Sequence, residues 1–265
     1  MIERFCLWLA VALYTIAATL TLRQFRHGLA TGRLRRISAS LILGGFALHT
    51  AAMWLRGTHL GRCPVTNQFE VQVFLAWAAV FFYWLIGASY RLSLLGAFTA
   101  PLVVAVLLVA LLAPIDRAAR MSQSHSASVE FHAAVGMMAW GAAALAGVIG
   151  LMFLIQERLL KSRHPGRFFL LLPATTQLDV IGFRVLVVGL VLLTVGMIGG
   201  VVSQRAGQPW PWPKTAWAVL IWCLYAALVA ARGWNLWQGR KAAVGAIAAF
   251  LFTWVAYWAA TWLAR

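Results

Sequence analysis

Apolar residues in this chain come in long blocks separated by short, mostly basic stretches. Eight blocks can be drawn: Phe5 to Leu22, Ile37 to Leu55, Val71 to Ser89, Leu92 to Pro114, Phe131 to Ile155, Val180 to Val202, Ala216 to Ala231 and Ala242 to Leu263. Each approaches the twenty or so residues that an α-helix needs to cross a hydrocarbon layer about 30 Å thick. The break between the third and the fourth rests on little more than "YRLS". In a bilayer core the backbone must satisfy its own hydrogen bonds, so blocks of this length are helices. The pattern predicts an all-α, polytopic transmembrane bundle of about eight spans, a single integral membrane domain over 1–265 with no convincing internal repeat and no separate soluble domain.

Composition agrees, since 63% of the 265 residues are hydrophobic and 11% charged, with mean hydropathy +0.83. The net charge of +16 would suggest nucleic acid in a soluble protein, but here the basic residues lie between apolar blocks and no basic run is long enough to be a nucleic-acid arm. They read as topology signals and lipid-headgroup partners. Thirteen fall in the connections after the first, third, fifth and seventh spans and eight on the other side, with Arg184 inside the sixth span. The positive-inside rule then places both termini outside, and the connection after the sixth span with them.

The three cysteines, Cys6, Cys63 and Cys223, show neither CxxC nor CxxCH spacing, which removes a thiol redox motif and covalent haem attachment. Phe5 to Leu22 lacks a small-residue cleavage pattern and reads as a retained first helix. The longest connection, "QERLLKSRHPGRFFLLLPATTQLD", suits short amphipathic pieces in the cytoplasmic interface.

His27, His59 and His164 fall beside basic residues or glycine and read as solvated loop histidines. His49 lies inside the second span, in "GGFALHTAAMW". An ionisable group at that depth is a functional hypothesis by default, and a neutral imidazole bonded to a neighbouring helix is the other reading. His132, at the start of the fifth span in "SASVEFHAAVGMMAW", is either a site residue or an interfacial one. No HExxH, no GxSxG elbow, no phosphate-binding glycine loop and no paired intramembrane carboxylate occurs. All six acids sit at or near span ends, which removes most support for a carboxylate-based proton-coupled carrier. A small-molecule transporter would be a further class, but no broken-helix pair or inverted repeat supports it.

Tryptophan near a span end is an ordinary interfacial anchor. The stretch "RAGQPWPWPKTAW" exceeds that, with Trp210, Trp212 and Trp217 close to Pro209, Pro211 and Pro213. Prolines at this spacing predict an extended, stiff backbone and not regular helix. Rings projecting from it would form a surface on which a planar apolar ligand stacks.

These stretches resemble the cytochrome c assembly family, whose CcsA and CcmC members carry an external loop of the form WGxxWxWDPKExWA. "AGQPWPWPKTAWA" is similar to that loop and "VLIWCLYAALVAAR" to the helix after it. "LPATTQLDVIGFRVLVVGLVLLTVGMIGG" is similar to the helix leading in, "GRCPVTNQFEVQVFLAW" to an earlier external segment, and "FHAAVGMMAWGAAALAGVIGLMFLIQERLL" to the span that begins with an external histidine. The resemblance covers about 40–265.

It implies a non-covalently held haem b in a bacterial inner membrane, with the Trp-rich loop on the periplasmic side and histidines on the iron. His132 matches the external histidine before the loop, His49 the first intramembrane one, and Trp210, Trp212 and Trp217 the loop tryptophans. Arg205 and Lys214, with Arg56 and Arg62 as further candidates, would meet the propionates. Departures are equally plain. Ala206 replaces the first loop tryptophan, the loop Asp is missing, Thr215 replaces the Glu, Ala230 stands where the second intramembrane histidine belongs, and no histidine follows the eighth span. Each paired site keeps one ligand, so the resemblance implies an accessory haem-handling protein of cytochrome c assembly and not a complete synthetase, with no catalytic residue assigned. Its partners would be haem, the lipid bilayer and other cytochrome c biogenesis or tetrapyrrole-pathway proteins. The alternative is a HemX-like scaffold or regulator acting through a partner without haem transfer.

Overall fold

The computed structural model describes residues 2–27, 32–90, 95–116, 127–162, 172–204 and 212–263. Its described residues form eight helices: α1 (Ile2–His27), α2 (Gly32–Leu60), α3 (Gln68–Tyr90), α4 (Leu95–Leu112), α5 (Ala127–Lys161), α6 (Thr175–Val202), α7 (Trp212–Gly233) and α8 (Arg240–Leu263). All eight are long and apolar enough to cross a membrane, and each contains one of the expected spans nearly whole. Several run beyond the apolar block, so that His27 ends α1 and an exposed His59 lies in the last turn of α2. The three cysteines are free thiols, Cys63 in a connection and the other two in helices.

Helix ends follow local chemistry. Gly61, at φ 63°, takes the left-handed conformation after α2, and the Arg62 N–H closes back on the Gly57 carbonyl at 3.2 Å. α3 opens with a reciprocal cap, because Asn67 Oδ1 accepts from the Glu70 N–H at 2.8 Å while the Glu70 carboxylate accepts from the Asn67 N–H at 3.4 Å and the Thr66 N–H at 2.9 Å.

Helices α1 to α4 pack as one group and α5 to α8 as another, joined through α5 against α3 and α4. Helix α5 is the hub because its middle, "GAAALAGVIG", is almost all small residues that let neighbouring backbones approach. Gly141 lies against Ala78 of α3, and a Cβ there would strike the Ala78 side chain and carbonyl carbon. Gly150 faces the Ala243 carbonyl of α8, which a Cβ would meet at 2.8 Å. Gly189 of α6 sits on Ala142 and Ala139, and Gly196 on Gly136. The indole of Trp254 on α8 adds a cross-group hydrogen bond to the buried Gln72 of α3, at 3.1 Å.

Two clusters mark the ends of the bundle. At one, Arg56 from α2 joins Glu3 of α1, Glu70 of α3 and Asp116 beyond α4. At the other, Arg232 of α7 pairs with Asp179 of α6, whose second oxygen accepts from the Gly239 N–H ahead of α8 at 3.0 Å. Thr21 and Ser38 bond there between α1 and α2, at 2.8 Å.

Candidate functional site

The end of the bundle that carries the N-terminus gathers the polar chemistry. Arg56 contacts Asp116 through both terminal nitrogens, at 2.6 and 3.3 Å, Glu70 through Nε at 3.0 Å and Glu3 at 2.9 Å. Arg62 adds two bonds to Glu70, at 3.0 and 3.2 Å. Phe69 lies between Arg4 and Arg56, whose guanidinium carbons stand 5.4 and 4.8 Å from its ring centre. Arg56 and Arg62, candidates for a ligand's carboxylates by sequence, are thus already held by carboxylates of the chain itself. Sequence reading counted these arginines as basic residues of one side and did not see that Glu3, Glu70 and Asp116, far apart in the chain, converge on them.

Glu130 at the start of α5 accepts from the Cys63 N–H at 3.2 Å, tying the α2–α3 connection to α5. Burial, with the Glu130 and Glu70 carboxylates close by and only Arg62 opposing, pushes the Cys63 thiol above its ordinary range.

One turn into α5, His132 is half-buried against α6. Its Nδ1 stands 2.5 Å from the Gly196 carbonyl oxygen. A carbonyl only accepts, so Nδ1 carries the proton, and in the neutral ring the lone pair then lies on Nε2. The ring has this seat because the last two turns of α6 read "GMIGGVV": a Cβ on Gly200 would lie 2.9 Å from His132 Cε1 and 3.0 Å from Nδ1. That glycine cluster was the sequence signal for the seat.

His49 differs. It is fully buried, its Nε2 3.1 Å from the Val73 carbonyl of α3, so that Nε2 holds the proton, and its Nδ1 makes no hydrogen bond. The edge of Tyr14 from α1 closes over it, ring centres 6.3 Å apart. Its surroundings are α1 and α3 while those of His132 are α6, and the structure does not bring the two histidines together.

From Trp212 onward the tryptophan stretch is a correction to the extended ledge, while 205–211 lie outside the described residues. Trp212, Pro213 and Lys214 form the first turn of α7. Proline is tolerated there because the first N–H groups of a helix have no intrahelical partner and its fixed φ suits the turn. Trp212 is 70% exposed, while Trp217 turns inward and packs on Phe252 of α8, ring centres 5.9 Å apart. Arg205 and Trp210 lie outside the described residues, as does the Lys214 side chain.

Below this end, α5 to α8 line a half-open cavity of ≈ 200 Å³ that starts at Gly136, one turn from His132. Trp140, Trp217, Tyr225 and Tyr257 form its aromatic walls. Sequence reading assigned only Trp217 among these a ligand role, because the others sit singly in apolar helices where an aromatic residue is ordinary packing.

Comparison with known proteins bears on this geometry. The family model described as Cytochrome C assembly protein matches residues 65–265. The chain is similar to the cytochrome c biogenesis protein CcsA of Thermosynechococcus vestitus, 28% identical over 273 residues that cover 86% of this chain and 83% of that protein. It is likewise similar to the proteins of that name from Porphyra purpurea, 25% identical over 88% of this chain and 85% of the relative, and Chlamydomonas reinhardtii, 27% identical over 84% and 66%.

Proposed function

The chain belongs to the cytochrome c assembly protein family, a role in cytochrome c biogenesis follows, and from that premise we propose that it binds haem non-covalently at the N-terminal end of the bundle as an accessory handler. Haem is cargo here, a planar apolar ring whose iron accepts a nitrogen ligand. The observation that carries the reading is the contact of His132 Nδ1 with the Gly196 carbonyl: with Nδ1–H held there, Nε2 of the neutral ring is the basic nitrogen, the arrangement of a metal-ligating imidazole. Trp210 and Trp212 are the proposed flat contacts, and Arg205 and Lys214 on either side of them the partners for the propionates. In this reading both termini and the tryptophan stretch face the periplasm of a bacterial inner membrane.

His49 supports a narrower role. Sealed by Tyr14 and bonded to Val73, it joins α2 to α3, and it would reach iron only if α1 moved. One enclosed histidine favours an accessory over a synthetase that works two paired sites. It also keeps a second reading in play, a membrane scaffold that acts through a partner without haem transfer.

The test is the absorption spectrum of the purified protein, oxidised and reduced. Wild type is expected to show a Soret band that shifts on reduction, His132→Ala to lose it and His49→Ala to retain it. No haem absorption and no response to added haemin in the wild type would overturn the reading. A cellular phenotype insensitive to Trp210→Ala and Trp212→Ala but sensitive to changes within 156–179 would favour the scaffold.

A further inference from the structure

The two ends of the bundle treat their arginines differently. At the N-terminal end, Arg56 and Arg62 are neutralised by carboxylates of the chain itself. At the opposite end the chain supplies two carboxylates, Glu157 and Asp179, and each already holds a cation, Lys161 and Arg232. Between Glu3 and Glu70 the sequence contains no acidic residue, so the adjoining ends of α1 and α2 bring none of their own.

Four arginines gather at those adjoining ends. Arg23 stands near the end of α1, and Arg33, Arg35 and Arg36 lie in the first turns of α2. All four are exposed, and none of them makes an ion pair or side-chain hydrogen bond with any described residue. Thr21 Oγ1 and Ser38 Oγ, 2.8 Å apart, tie the two helices at this level, and Ser38 Oγ also donates to the Ala17 carbonyl at 3.0 Å. At 1.5 Å per residue, the four arginines lie within about 8 Å of that tie along the helix axes. Leu22 and Ile37, next to Arg23 and Arg36 in sequence, are apolar and 50% and 40% exposed.

A guanidinium does not lose its charge, so four of them in so thin a layer need an anion from outside the chain. Soluble counterions would serve a face that stands clear in water. Arg23 and Arg36 do not stand clear, because each directly adjoins an apolar block, at the boundary where hydrocarbon gives way to headgroups. The anion present at that depth is a lipid phosphate, to which a guanidinium can donate two N–H groups at once. We propose that the adjoining ends of α1 and α2 form a binding site for one anionic phospholipid, its phosphate among Arg23, Arg33, Arg35 and Arg36 and its acyl chains against Leu22 and Ile37. The site lies at the far end of the bundle from His132, and it stands or falls independently of the haem reading.

The experiment uses the full-length protein, haem-free and in detergent, titrated with dioleoylphosphatidylglycerol and read by native mass spectrometry as lipids bound per chain. Wild type binds the first molecule saturably and more than about tenfold more tightly than dioleoylphosphatidylcholine, which has the same chains and no net charge. Arg23→Gln, Arg35→Gln and Arg36→Gln each weaken that binding about fivefold, the worth of one basic residue at an anionic surface. Arg240→Gln/Lys241→Gln removes two exposed cations at the same end, on α8, and leaves it unchanged. Equal affinity for the two lipids overturns the proposal. So does equal weakening by the α8 pair, which would mean net charge and not a site. Displacement of the lipid by an equal concentration of glycerol 3-phosphate overturns it too, and would assign the arginines to a free phosphate ester. Size-exclusion profiles and helical circular dichroism matched to wild type qualify each variant, and Lys241→Gln alone serves if the α8 pair fails to fold.

Discussion

Replacing Arg56 with methionine separates a structural arginine from a ligand-binding one. Arg56 holds Asp116 at 2.6 Å, Glu3 at 2.9 Å and Glu70 at 3.0 Å, with its own side chain 13% exposed. Methionine keeps most of the packing against Phe69 and removes the charge. Removing one partner of a buried ion pair costs about 3–5 kcal/mol, because the other charge is left uncompensated. Two features place this case at the lower end. Glu3 and Asp116 are 20% and 23% exposed, so water recovers part of their solvation, and the fully buried Glu70 keeps Arg62. We expect a loss of about 3 kcal/mol, equivalent to a fall in Tm of roughly 6–12 °C for a chain of this size. The assay is tryptophan-fluorescence unfolding of the haem-free protein in detergent, with Asp116→Asn and the double variant alongside. Coupling predicts that the double variant loses less than the sum of the singles by about 1–3 kcal/mol. A loss under about 1 kcal/mol with additive effects would refute the network, and would return Arg56 to the pool of cations free for a ligand.

Three further outcomes follow from close contacts and from a perturbed group in the α2–α3 connection. Gly200→Ala puts a Cβ 2.9 Å from His132 Cε1, whereas at Gly199 the nearest His132 atom is 3.6 Å away; haemin titrations are expected to lose the Soret shift with Gly200→Ala and keep it with Gly199→Ala, and equal behaviour would separate the ring from its seat. Gly141→Leu wedges α3 from α5 and should cost about 3 kcal/mol or more, read as lost folded yield and Tm, while Gly136→Ala, with open space around it, should stay within about 1 kcal/mol of wild type. Cys63 has its thiol pushed up by burial and two carboxylates, so less thiolate exists at any given pH than for a free cysteine. Iodoacetamide labelling of a Cys6→Ala/Cys223→Ala protein at pH 8 should be slower than for free cysteine, and Glu130→Gln should speed it; faster labelling of the parent would contradict the burial.

The spans were legible in the sequence because membrane crossing depends on a one-dimensional quantity, the length of apolar chain, and the eight helices match the eight blocks in order, α4 falling short of its block at both ends. Their ends were less so. The α2 terminus at Leu60 depends on Gly61 and the Gly57 carbonyl, and 212–214 are helical because proline suits the first turn of a helix as well as it suits an extended strand. Composition alone does not choose between those two uses of proline. His132 was legible as a candidate, but its tautomer was not, since the Gly196 carbonyl lies 64 residues away and comes close only when α5 and α6 pack. His49 had two readings from sequence, and the contact with Val73 matches the bonded imidazole. Arg56 looked like a free external cation for the same reason: its three partners are set by topology and not by spacing.

The small-residue surface of α5 also assigns mechanical parts. Locked at Gly141 against α3 and at Gly150 against α8, α5 behaves as a fixed post, with 78% of its most apolar stretch buried. Helix α7 is a leaf hung on that frame, with 11% of the corresponding stretch buried and slight contact with α6 and α8 alone. Polar ties fix it to α6, the Trp222 indole donating to the Thr194 hydroxyl at 2.9 Å and Arg232 pairing with Asp179. Because α7 carries Trp217 and Tyr225 on its inner side, the leaf forms one wall of the chamber while His132 is mounted on the post.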